Sequence, residues 1–104
     1  MGIPIGHMFR MSAIPPGKNP FELDGPNVKG TLDIRMRVIK RVHIKTAPNA
    51  GELFVRVGGA MTASGPITWS AEVPLPDGEQ IVTRSRWGDI SACRSAAIRI
   101  ERGV

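Results

Sequence analysis

The stretch Thr31–Lys45, TLDIRMRVIKRVHIK, decides the reading of this chain. Leu32, Ile34, Met36, Val38, Val42 and Ile44 occupy its even positions, and Asp33, Arg35, Arg37, Arg41, His43 and Lys45 its odd ones. Apolar and charged residues thus alternate with a period of two, as in a strand with one face on a core and the other in water. The phase slips only at Ile39 and Lys40, which predicts one long strand over 31–46 or two strands joined by a bulge at that point. Unbroken, the segment would span roughly 50 Å, long for a small domain, so a break or strong bend is expected. Its charged face is almost wholly cationic, which suits an anionic or acidic partner.

Further alternating runs follow. Leu53, Val55 and Val57 share one face of a strand, with Phe54 and Arg56 on the other. Ile67, Trp69, Ala71 and Val73 form a second inward face, which places Trp69 at the centre of the core. Strands are also predicted over 79–85 and over 95–102, the last around Ile98 and Ile100. Turns separate them at 47–51, at Gly58-Gly59 and at 74–78, where Pro presets φ and Asp-Gly tolerates a positive one. These connections are too short for crossover helices. The expected fold is therefore all-β, an antiparallel sandwich or small barrel of about five or six strands.

Residues 1–30 read differently. Prolines at 4, 15, 16, 20 and 26 remove backbone donors and disfavour both a helix and a central strand. The segment nevertheless carries Ile3, Ile5, Met8, Phe9, Met11, Ile14, Phe21 and Leu23. It is therefore expected to be an extended arm attached to a β domain at 31–104, lying across its own surface or a neighbour's.

Composition sets the bounds. A chain of 104 residues is one domain, able to bury a modest core without a metal or disulfide. The formal charge of +5 favours nucleic acid, an anionic membrane or an acidic protein as partner. The single cysteine, Cys93, excludes an internal disulfide and is expected to pack as a small hydrophobe. No apolar run approaches the ~20 residues of a membrane-spanning helix. The first residues, MGIPIGHMFRM, lack the pattern of a secretion signal, which points to synthesis in the cytoplasm.

Neither catalysis nor a cofactor is expected. His7 and His43 with one cysteine do not make a metal site. No serine stands in a Gly-x-Ser-x-Gly turn, the carboxylates are scattered, and Gly58-Gly59 lacks the Lys-Ser/Thr of a phosphate loop.

Residues 53–101 resemble β-sandwich modules of structural proteins of tailed bacteriophages. The residues that carry the resemblance are LFVRVGG (53–59), GPITWS (65–70), the Pro-Asp-Gly turn, TRSRWGD (83–89) and AAIRIE (96–101). It implies a non-enzymatic virion subunit (capsid decoration, neck or tail) whose partners are copies of itself, other virion proteins or both, and not a membrane. On that reading Ile3, Ile5, Met8, Phe9, Ile14, Phe21 and Leu23 of the arm would wrap neighbours, and Arg35, Arg37, Arg41 and Lys45 would meet an acidic subunit. The alternative is a basic β-barrel that binds nucleic acid along the Arg35–Lys45 ridge, although aromatics for base stacking are few. A third reading is a carbohydrate-binding sandwich built around Trp87.

Overall fold

The computed structural model describes residues 3–4, 8–12, 15–47, 51–76, 78–91 and 94–103. Ile5, His7, Ile14, Asp77 and Cys93 lie outside them. The described chain is all-β, built as two antiparallel sheets. One contains β3 (Gly17–Leu23), β4 (Val28–Arg35), β5 (Val38–Thr46) and β9 (Glu79–Thr83), in that order. The other is centred on β10 (Ser95–Arg102) and β6 (Leu53–Ala60). On its outer edges the short β1 (Ile3–Pro4) and β2 (Phe9–Met11) both pair with β10, while β7 (Thr68–Trp69) and β8 (Val73–Leu75) both pair with β6.

The core lies between the sheets. Leu32, Ile34, Ile39, Val42 and Ile44 from the first sheet are sealed off with Leu53, Val55, Val57, Ile98 and Ile100 from the second. The alternation predicted for 31–46 holds at Leu32, Ile34, Val42 and Ile44, but Met36 is exposed, Ile39 rather than Val38 is buried, and the strand does not run through. Its molecule is only 35 Å long, and the chain reverses at Met36–Arg37, so Leu32 and Val42 become cross-strand partners. The bulge lies where the phase slip put it. Asp33 pairs with Arg41 and Ile34 with Ile39, which leaves Lys40 as the extra residue.

The assignment of 1–30 to a separate arm is corrected by β3. Asn19, Phe21 and Leu23 face inward, and Lys18, Pro20 and Glu22 outward. The period of two was present in the sequence, under prolines that argue against a strand. They are accommodated because β3 is an edge, where a residue lacking an N–H need not break a ladder. The buried Asn19 anchors the entry, its Nδ2 donating to the carbonyls of Pro15 (3.0 Å), Gly17 (3.1 Å) and Leu32 (3.4 Å). Phe21 and Leu23 are therefore core residues, closed to a partner. Phe9 is half-buried against the same core, its ring centroid 6.1 Å from that of Phe21.

The two tryptophans exchange the expected roles. Val57 faces the core, so Gly58 and its partner Trp69 face outward. A Cβ on Gly58 would stand 2.5 Å from Ile67 Cγ2 and 3.0 Å from the Trp69 ring, so glycine is what lets the Ile67 and Trp69 side chains pack across β6. Ser70 then closes the pairing, its N–H donating to Val57 O (2.7 Å) and its Oγ accepting from Val57 N (3.0 Å). Between this pair and Val55–Val73, Ala71 and Glu72 oppose Arg56 alone. That extra residue flips the phase and returns Val73 to the core. Trp87, from the β9–β10 connection, is 6% exposed and belongs to the core; it offers no face to a sugar.

A cationic end as candidate functional site

The register gives the sandwich two distinct ends. At one of them the β4–β5 hairpin tip, the β9–β10 connection and the β6–β7 loop come together. Val38 bridges Ser91, and Arg94 N–H donates to Ala60 O at 3.0 Å, which ties the three connections to one another. Arg10 on β2 joins them through Ser95 Oγ (2.7 Å) and Thr62 O (3.2 Å).

Cations accumulate here. Arg35 and Arg37 stand at the tip, Lys40 at the bulge below it, and Arg84, Arg86 and Arg94 on the β9–β10 connection. Two described carboxylates accompany them, and both are engaged. The buried Asp33 lies 3.3 Å from Arg41 Nε and 3.9 Å from Arg35 Nε, and Asp89 lies 3.2 Å from Arg84. Arg37, Lys40, Arg86 and Arg94 have no carboxylate within ion-pair distance among the described residues.

The tip itself is costly. Met36 has φ 51° and Arg37 φ 61°, both left-handed, the pattern of a two-residue type I′ turn. Such turns take Asn-Gly or Asp-Gly, because glycine has no Cβ and Asn or Asp hydrogen-bonds locally, whereas other side chains cost about 1–2 kcal/mol per residue in this conformation. Here the two positions hold a long apolar and a long cationic side chain, and Met36 is 91% exposed. Met61, on the neighbouring loop, is 77% exposed.

The cationic ridge predicted from Arg35, Arg37, Arg41 and Lys45 is not one surface. The reversal puts Arg35 on β4 and Arg37 in the turn, and neighbouring strands interleave carboxylates with the rest. Along the outer face, one row runs Lys18, Asp33, Arg41, Thr83 and another Glu22, Lys29, Lys45, Glu79. His43 Nε2 lies 2.5 Å from Glu79 Oε1. Lys45 thus belongs to the opposite end, between Lys29 and Glu79. A single strand's charge shows in the sequence, but its cancellation by cross-strand neighbours does not, because register is a tertiary property.

Of the apolar residues predicted to meet partners, Met8 is exposed, Phe9 half-buried, and Phe21 and Leu23 buried. The backbone of Ile3 pairs with Arg102, and Ile5 and Ile14 lie outside the described residues. What sequence reasoning missed is the tip. The signal available was a pair of residues, Met36-Arg37, that continues the alternation of the residues before it. Among the described residues no cluster of His, Cys, Asp and Glu could hold a metal, and no helix is long and apolar enough to cross a membrane.

In comparisons with protein-family models, curated proteins and solved structures, nothing matches the chain.

Proposed function

We propose that the protein is a non-enzymatic docking subunit of a larger particle, and that the cationic end is the surface by which it meets an acidic partner. The observation that carries this reading is the hairpin tip. Two left-handed non-glycine residues hold Met36 and Arg37 at the apex, although Asn-Gly there would be easier to fold. Strain retained at an exposed position points to a role outside the fold. Met and Arg are also the residue types that protein interfaces favour. The likeness of residues 53–101 to structural modules of tailed bacteriophages supports a virion as the setting.

Nucleic acid is the second reading, favoured by the uncompensated cations alone. Against it stands the chemistry around them. Among the described residues the exposed large hydrophobics are Met8, Met36, Met61 and Ile81, with no aromatic among them to stack on a base.

The test is rate-zonal sedimentation of lysate from the native source, with wild-type protein and the Met36→Asn, Arg37→Gly variant, before and after nuclease. Wild-type protein in a fast, nuclease-resistant fraction that the variant leaves supports docking on protein. A fraction dissolved by nuclease transfers the end to nucleic acid. Wild-type protein that stays at the top of the gradient overturns both.

A further inference from the structure

Sheet edges are reactive, since each presents a row of unpaired backbone groups, and natural proteins protect them. Three edges of this sandwich are protected in recognisable ways. Pro20 interrupts β3, Pro4 ends β1, and Pro74 sits inside β8. The companions β2 and β7 are only 3 and 2 residues long. The fourth edge, β9, has none of these devices.

β9 is EQIVT, five residues with no proline, lysine or arginine. Among the described residues it pairs with β5 alone, and no loop backbone bonds to its other side. Ile81 at its centre is 64% exposed. Beside it lies an open groove lined by Leu75, Pro76, Gln80 and Val82, with Glu52 and Arg86 at its margin.

We infer that β9 is a dimerisation edge, and that its occupant is β9 of a second copy in antiparallel pairing about a two-fold axis at Ile81. The strand is complementary to itself in this arrangement. Only the register centred on Ile81 pairs all five residues. It sets Ile81 against Ile81 on the outer face, Gln80 against Val82 on the inner, and Glu79 against Thr83. The two exposed isoleucines cover one another, and no like charges oppose. The sole charge of β9 itself is Glu79, so the two paired strands set no cations directly opposite one another. The four-stranded sheet would become one continuous sheet of eight, an isologous contact that closes on itself. The cationic tips stay free, so the inference does not depend on what they bind.

The experiment is sedimentation equilibrium of the full chain over a wide concentration range, with disulfide trapping as a second arm. Wild-type protein is expected to dimerise. Ile81→Lys sets like charges face to face at the axis and is expected to weaken association at least tenfold, while Met36→Asn with Arg37→Gly leaves it unchanged. For trapping, Ile81→Cys in a Cys93→Ser background is expected to form a disulfide-linked dimer on mild oxidation. Thr83→Cys in that background is the control, since its two copies would stand roughly 13 Å apart along the strand and cannot bond. A wild-type monomer at millimolar concentration overturns the inference. So does a dimer that survives Ile81→Lys, or trapping at residue 83 as efficient as at residue 81. A monomer that binds another protein's extended segment at β9 would give the edge a different occupant and equally overturn self-pairing.

Discussion

The two ends of this sandwich are built to different purposes. The end formed by the β3–β4 turn, the β5–β6 loop and the C-terminus is tied by backbone bonds: Ala47 N–H to Asn27 O (2.8 Å), Gly103 N–H to Glu52 O (2.7 Å), and Thr46 N–H to Gly78 O (3.1 Å). The buried Thr46 adds Oγ1, which accepts from Gly78 N (3.0 Å) and donates to Gly78 O (3.3 Å). Glu22, Asp24, Glu52, Glu79 and Glu101 outnumber Lys29, Lys45 and Arg102 there. The other end is cationic, exposes two methionines and holds strain at its tip. The contrast teaches that net charge says little about where a small protein binds. The excess of +5 is concentrated at one end and reversed at the other.

The comparison breaks first if the tied end does not need β3. Deleting residues 1–30 removes Phe21, Leu23 and the Asn27 carbonyl that anchors Ala47. The truncated chain is expected to lose cooperative unfolding altogether, as seen by circular dichroism. A folded remnant would restore the separate arm.

Next in size is the floor of the cationic end. Trp87→Ala is expected to cost about 3–5 kcal/mol in denaturant titration, as a large core deletion does. Trp69→Ala, on the outside of its sheet, should cost less than half of that. Equal losses would mean that Trp87 does not anchor this end.

The tip and the tied end should then respond with opposite signs. Met36→Asn with Arg37→Gly relieves two left-handed residues and is expected to raise stability by about 1–2 kcal/mol, while abolishing co-sedimentation with the particle. A variant that gains stability and still docks would separate the strain from function. Thr46→Val removes both hydroxyl bonds to Gly78 and should lower stability by about 1–2 kcal/mol. An unchanged unfolding midpoint would show that backbone pairing alone holds that end.

The smallest effect concerns charge. Arg86→Gln with Arg94→Gln should alter stability by less than about 0.5 kcal/mol, since both side chains are exposed. It should still shift elution from a cation exchanger further than Lys29→Gln with Lys45→Gln, an equal charge change at the tied end. Equal shifts would dissolve the distinction between the ends.

The amino-acid sequence by itself determined the fold class, the inward faces of β4, β6 and β10, and the place of the phase slip at Ile39–Lys40; in β5 it placed Val42 and Ile44 but set Val38 inward where the structure buries Ile39. Each rests on local alternation, which the pleat converts directly into faces. It left hidden the reversal at Met36–Arg37, which carries none of the usual turn residues, and the strand under the prolines of 17–23. Only the tertiary structure decided those points. It also decided which tryptophan is buried, which charges cancel and which edge is left open. All of these depend on which strands become neighbours and in what register, and that choice is made by burying both sheets' apolar faces together rather than by any short stretch of chain.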